Sequence, residues 1–369
     1  MSNILIRVDA AIELGMGHVM RCLTLADCLR AAGGQIAFSC RRLPGNLCDL
    51  IEMKGYKVHH MANPEDGLAT IDWLDDAAQT KAALADSART DWLIVDHYGL
   101  DRSWESAMRP FVRRIMVIDD LADRPHDCDV LLDQNYYKNL EHRYEGLVPG
   151  HCLRLLGPTY ALLRPEFFEA RRHLRQRDGL VRRILVFLGG GDSQNVTSKV
   201  IEAIALTGHP EIALDVVIGS TNPHHEQIAA LCSLRRNARL HIQVENMAAL
   251  MASADLSIGA GGATTWERCL LGLPTLTVVF AANQEQTTID LADTGAIRYI
   301  GWADNVSISE LAEAIDDAIS RPEENVEMGH RAMQVMSDFV YDSQLQAVAA
   351  LLQRTDSRAL RGRGLPVTE

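Results

Sequence analysis

Short apolar runs alternate along this chain with longer stretches of helical periodicity. Asn3 to Val8 is an apolar run ending at Asp9; a glycine-bearing loop follows, then the amphipathic stretch His18 to Ala31. This reads as strand, loop and helix. The order recurs with strands at Gln35 to Cys40 and Lys57 to His60, helices at Leu47 to Lys54 and Ile71 to Ser87, and buried strands at Trp92 to Asp96 and Arg114 to Asp119. A second series opens at Ile184 to Leu188 and runs through Gly189, Gly190, Gly191 and Asp192 into a helix over Asn195 to Leu206. Ala213 to Ile218, Leu240 to Gln243, Leu256 to Ile258 and Thr275 to Val279 supply its further strands. Such alternation predicts two α/β halves, each built on a mostly parallel sheet.

The 369 residues fit two domains at ~100 to 200 residues each. The pattern places an N-terminal domain over 1–163, a basic connecting segment without strand character over 164–183, and a C-terminal domain over 184–353. The polar end, 354–369, carries Gly362, Gly364 and Pro366 and is expected to be a disordered tail.

Charge narrows the partners. With 36 Lys and Arg against 49 Asp and Glu, the formal charge is −13, whereas a nucleic-acid binder shows a basic stripe. Hydrophobic residues at 47% and charged residues at 23% are the balance of a globular protein with a real core. The eight cysteines form no C-x-x-C pair and no Cys/His cluster at zinc spacing, so they read as reduced core thiols. Met1 to Asp9 lacks the arrangement of a secretory leader, and no apolar stretch approaches the ~18 residues of a membrane span. The expectation is a cytoplasmic protein with neither membrane nor nucleic-acid partner; the oligomeric state is left open.

Three segments carry candidate chemistry. Gly15-Met16-Gly17-His18 lies between the first strand and the first helix, at the carboxyl end of the sheet, where open α/β folds place ligands. A helix start favours a neutral imidazole, the form a general base needs; a tight turn with a surface histidine would look the same. No G-x-G-x-x-G is present, since position 20 is Met20. Asp96-His97-Tyr98-Gly99 follows another buried strand, with a capped turn as the plain alternative. Asp119, Asp120 and Asp123 follow a third strand without a histidine cluster to make them a metal site, so no metal is expected. Most telling is Leu256 to Glu267, a strand, a glycine-rich turn and a helix start. Free N–H groups of Gly261, Gly262, Ala263 and Thr264 make an anion site fit for a diphosphate, and Glu267 is placed to accept both hydroxyls of a ribose. The same features also serve plain strand-to-helix packing. Asn283-Gln284-Glu285-Gln286 opens a later helix.

Taken in order, these segments resemble a GT-B-type nucleotide-sugar enzyme, two Rossmann-like, doubly wound domains facing a cleft. Ile6-Arg7-Val8-Asp9, Gly15 to Cys22, Asp96 to Leu100, Asp119 to Ala122, Asp133-Gln134-Asn135, Gly157 to Arg164 and Asn283-Gln284 are similar to the UDP-2,4-diacetamido-2,4,6-trideoxy-β-L-altropyranose hydrolases of bacterial pseudaminic acid biosynthesis. The resemblance runs from about Ile4 to about Asp342 and implies water attack at the anomeric carbon of a UDP-linked diacetamido sugar, with inversion, without metal or other cofactor. The free sugar would feed pseudaminic acid synthesis and so a flagellin or surface glycan. By that resemblance His18 is the catalytic histidine, Tyr98 and Asn283 belong to the sugar site, and Arg7, Asp9, Gly15, Gly17 and Gln284 join the substrate contacts. A wider likeness to the murein UDP-GlcNAc transferase implies that Gly261 to Thr264 face the diphosphate and Glu267 the ribose. An inverting glycosyltransferase and a silent nucleotide-sugar binding protein are the competing readings, because fold alone does not choose between water and an alcohol acceptor.

Overall fold

The computed structural model describes residues 2–12, 14–63, 71–85 and 89–337. The described chain divides into two units, one made of Met1–Asn135 with Asn139–Leu162, the other of Tyr136–Lys138 with Leu163–Asp338. The tail expected over 354–369 lies outside the described residues.

In the first unit the order is β1 (Asn3–Val8), α1 (Gly17–Ala31), β2 (Gln35–Arg41), α2 (Cys48–Met53), β3 (Lys57–Met61), α3 (Trp73–Ala85), β4 (Thr90–Asp96), α4 (Arg102–Met108), β5 (Val112–Ile118), β6 (Val130–Asp133) and β7 (Leu153–Leu156). The second unit holds α5 (Pro165–Arg172), β8 (Arg183–Phe187), α6 (Val196–Leu206), β9 (Ala213–Ile218), α7 (His225–Ser233), β10 (Ala238–Ile242), α8 (Met247–Ser253), β11 (Leu256–Ala260), α9 (Thr264–Leu270), β12 (Thr275–Val279), α10 (Ala282–Ala292), β13 (Arg298–Trp302), α11 (Ile308–Ser320) and α12 (Pro322–Val335).

Every strand pairing is parallel. The first sheet runs β3-β2-β1-β4-β5-β6-β7 and the second β10-β9-β8-β11-β12-β13. Strands covered on both faces must be apolar along their whole length, which is why they read as continuous runs and not as alternations. On one face of the first sheet Ile6, Phe38, Ile94 and Ile118 meet Val19, Cys22, Leu25, Ala26 and Leu29 of α1. On the other, Leu5, Leu93, Val95 and Ile115 meet Ala77 and Leu84 of α3 and Trp104 and Met108 of α4. In the second sheet Ile184, Val186, Val216, Ile258 and Val278 meet Val200 and Ile204 of α6 and Leu311 and Ile315 of α11.

Strand order reverses beside β1 in the first sheet and beside β8 in the second, and crevices at the carboxyl ends of such switch points are where α/β sheets take ligands. The loops around the two switch points are β1 to α1 with β4 to α4, and β8 to α6 with β11 to α9.

The sequence pattern does not predict β6, β7 or β13, each of four or five residues. The stretch expected to connect the domains carries α5, and two of its arginines reach backbone carbonyls of the second unit. Arg177 donates to Ala254 O at 2.9 Å, Leu271 O at 2.6 Å and Met251 O at 3.0 Å, and Arg171 donates to Leu270 O. These carbonyls close α8 and α9, where orphan acceptors and the negative dipole end favour a cation. Arg171 and Arg177 thus serve helix ends, while Arg172, Arg182 and Arg183 pair with Glu169, Asp178 and Asp215.

Candidate functional site

The loop leaving β1 turns at Gly15, whose φ of +76° suits glycine, with Gly15 N–H donating to Ala11 O at 2.8 Å. Gly17 is exposed, and a Cβ there would meet nothing within 4 Å, so the fold itself does not require glycine at that position. α1 starts with no side-chain cap and sets His18 in its first turn.

His18 Nδ1 lies 2.6 Å from Oδ1 of Asp96, the last residue of β4. The Asp96 side chain has no exposed surface, and Arg21, one turn along α1, grips the same carboxylate with Nε to Oδ2 at 2.6 Å and Nη2 to Oδ1 at 2.7 Å. Burial works to raise the Asp96 carboxyl, but Arg21 and then His18 outweigh it and hold the group well below the ordinary carboxylate range. An ionised Asp96 only accepts, so Nδ1 must be the nitrogen that carries hydrogen. Arg21 Nη2, 3.1 Å from the same ring nitrogen, is itself a donor and does not compete for that role. Nε2 makes no hydrogen bond among the described residues, and the side chain keeps 11% of its surface exposed. In its neutral form the imidazole is therefore the tautomer whose open lone pair is on Nε2.

Tyr98 stands edge-on against His18, ring centroids 4.6 Å apart at 84°. Burial and then the charge of Asp120 push its phenol above the usual range; its hydroxyl shares Asp120 with Arg21, whose Nη1 is 3.1 Å from Oδ2. His18, Asp96, Tyr98, Arg21 and Asp120 thus form one network. Sequence reasoning offered Asp96 as a candidate with a capped turn as the alternative, weighed Asp120 only as a metal ligand, and gave Arg21 no role of its own. The available signal was that Arg21 is three residues from His18 and so on the same helix face.

Arg7 and Asp9, expected among the substrate contacts, lie in a buried network of ion pairs. Both side chains have no exposed surface. Arg7 Nη2 reaches Asp9 at 2.7 Å and Asp76 at 2.6 Å, while Arg41 Nη1 reaches Asp76 at 2.6 Å and Asp9 at 3.3 Å. Trp104 Nε1 adds a bond to Asp76 at 2.9 Å. Two cations and two anions cancel inside the domain, so these groups hold β1, β2, α3 and α4 together.

The aspartates after β5 are also engaged. Asp119 accepts from Ala122 N–H at 2.9 Å and Tyr144 at 3.0 Å and pairs with Arg124 at 2.8 Å; Asp123 pairs with Arg124 at 2.8 Å. Among the described residues no group of three or more His, Cys, Asp or Glu is arranged to hold a metal.

In the second unit the glycine turn follows β11. Gly261 lies so close to Thr288 that a Cβ would sit 2.5 Å from its Oγ1, and Gln284 lies against the same turn, its Nε2 3.7 Å from where a Gly262 Cβ would be. Gln284 Oε1 accepts from Phe280 N–H at 3.1 Å. The structure thus brings Gly261, Gly262 and Gln284 together, with Asn283 beside them in the first turn of α10. Gly261 N–H is spent on Val278 O at 3.1 Å, but those of Gly262, Ala263 and Thr264 donate to no described residue. Three N–H groups left over at a glycine turn make an anion-binding concavity. Arg268 supports it from below, donating to Ala260 O at 2.6 Å and to the hydroxyls of Thr264 and Thr265 at 3.1 Å. Glu267 Oε1 lies 3.5 Å from Arg164 Nη2, and Oε2 has no hydrogen-bond partner among the described residues. Burial pushes this carboxyl up to about 7.

Residues 183–343 match the glycosyltransferase family 28 C-terminal domain. Over 294 residues the chain is 28% identical to the UDP-2,4-diacetamido-2,4,6-trideoxy-beta-L-altropyranose hydrolase of Campylobacter jejuni, an alignment covering 79% of this chain and 97% of that protein. Over 162 residues it is 33% identical to the spore coat polysaccharide biosynthesis protein SpsG of Bacillus subtilis, covering 43% of this chain and 47% of the other. Among solved structures, MurG of Acinetobacter baumannii superposes with a TM-score of 0.64 at 16% identity, over 96% of this chain and 99% of that one. The fold is of the GT-B type. The resemblance to the hydrolases read from the motifs therefore holds along most of this GT-B chain. The family 28 match begins with the first residue of β8, so it takes in both glycine turns, α9 and α10, while His18 and Asp96 lie outside it.

Proposed function

We propose that this chain is an enzyme acting on UDP-sugars, and specifically that it hydrolyses a UDP-linked 2,4-diacetamido-2,4,6-trideoxy sugar at the anomeric carbon, releasing UDP and the free sugar. The observation that carries this reading is the His18 Nδ1 to Asp96 contact of 2.6 Å, which leaves Nε2 as an open base. In the reaction Nε2 takes a proton from water as the oxygen attacks the anomeric carbon from the face opposite UDP. The bond to the diphosphate oxygen breaks with its electron pair, and the product sugar is inverted. Asp96 meets the positive charge that forms on the imidazole, as the buried aspartate of a Ser-His-Asp triad does. Tyr98, edge-on to His18, serves the sugar.

The N–H groups of Gly262, Ala263 and Thr264, without partners among the described residues, suit the charge that grows on the diphosphate as it leaves, the task a metal would otherwise serve. Glu267 takes the ribose hydroxyls, and Asn283 and Gln284 lie beside the turn for the sugar. The relative named for this reaction supports the substrate class, and a cytoplasmic site of action agrees with a nucleotide-sugar substrate. The family 28 match favours one other reading, transfer of the sugar to an alcohol by the same base.

Incubation with UDP-sugar alone in H₂¹⁸O tests the proposal. Release of UDP with ¹⁸O in the anomeric hydroxyl, and an inverted first-formed anomer by NMR, is expected. Turnover that begins only on adding an alcohol acceptor would establish the transferase instead.

A further inference from the structure

Glu267 has one oxygen near Arg164 and one without a hydrogen-bond partner among the described residues. Arg164, which precedes α5, approaches Oε1, and the same guanidinium is fixed from two other sides, by Glu166 Oε1 at 2.8 Å from Nη1 and by the Phe167 ring, whose centroid is 5.0 Å from Cζ. Phe167 is fully buried, so the arginine is anchored to a rigid element. Glu267 Oε2 is buried without a partner among the described residues, a costly state unless something binds there. We propose that Arg164 is a positioning residue for the nucleotide: it holds one oxygen of the Glu267 carboxylate so that both hydroxyls of a bound ribose find the group as an acceptor. The inference rests on the ribose reading of Glu267.

Charge gives Arg164 a second effect. Burial raises the Glu267 carboxyl to about 7, while Arg164 and Glu166 from the start of α5 and Arg268 from its own helix are the charged groups that act on it. The two arginines favour the ionised form and Glu166 opposes it. Only the ionised carboxylate accepts from two hydroxyls, and it is present above the carboxyl's pKa and lost as pH falls through it. Without Arg164 that loss moves to higher pH.

Calorimetric titration with UDP and with 2′,3′-dideoxy-UDP, which lacks the ribose hydroxyls, tests this. For R164Q at pH 7 the UDP affinity is expected to fall by roughly threefold to tenfold, the scale of a half-buried ion pair. The dideoxy nucleotide should bind the variant as it binds the unaltered protein. The deficit should shrink by pH 8.5, and R164K, which keeps the charge, should recover most of the UDP affinity. Equal loss for both nucleotides, or an unchanged UDP affinity, would overturn the role of Arg164. Equal binding of both nucleotides by the unaltered protein would instead remove the ribose reading, and the inference with it.

Discussion

His18 and Asp96 are 78 residues apart in the chain and 2.6 Å apart in space, because parallel pairing of β1 with β4 sets the end of β4 beside the start of α1. The pairing matches Val8 with Asp96, so the carboxylate sits level with the point where the chain leaves the sheet toward the helix. This contact decides which ring nitrogen is a base.

Replacing Asp96 with Asn removes the fixed acceptor and permits the wrong tautomer. The kcat of D96N should fall by about 10² to 10⁴ with UDP affinity unchanged, and H18A should lose a similar amount. The double variant should be little worse than either alone, since the two residues act as a unit. Steady-state kinetics with UDP titration on folded protein checks this; near-normal kcat in either variant would remove the dyad from the mechanism.

Glu267→Ala should raise KM more than it lowers kcat, because a ribose contact is made equally in ground and transition states. A charged hydrogen bond is worth ~1.5 to 3 kcal/mol, so the loss of even one puts the fall in UDP affinity at about one to two orders of magnitude. In the unaltered protein, UDP binding should weaken as pH falls through about 7, the value to which burial raises the carboxyl. If E267A melts earlier but binds UDP normally, the residue is only a partner of Arg164 and of the helix dipole.

Activity should survive EDTA. The carboxylate of Asp119 is taken up by Arg124, Tyr144 and the Ala122 N–H, and the glycine turn offers the diphosphate backbone donors. Loss of turnover on chelation, restored by Mg²⁺, would show that a metal shares the work.

Asp76→Ala should destabilise the fold by about 3 to 5 kcal/mol, because Arg7 and Arg41 are left buried with one carboxylate between them. Asp76 lies below the ordinary carboxylate range: burial raises it, but Arg7 and then Arg41 lower it further. Its contribution is therefore present above the unfolded value near 3.8 and lost as pH falls toward the folded one. Urea unfolding should show the gap between D76A and the parent at pH 7 and its narrowing in acid; equal stability at pH 7 would refute the buried network as a support of the fold.

The main strands and helices, and the two glycine turns, were legible in the sequence because their causes are local: apolar runs for doubly covered strands, helical spacing for the stripe that meets them, glycine where φ turns positive or a side chain presses close. His18, the Gly261-Gly262 turn and Glu267 could be singled out for the same reason. Strand order could not, and with it went every partner. Arg7 and Asp9 are expected among the substrate contacts only by resemblance, and it is the folded chain that brings Asp76 and Arg41 against them. Strands β7 and β13, short and only partly buried, carry too little apolar pattern to stand out. Asp96 reaching His18, and Arg164 reaching Glu267 across 103 positions, arise from where separate elements come to rest against one another. Periodicity within one element records which face is buried, but what that face meets is settled when the sheet forms.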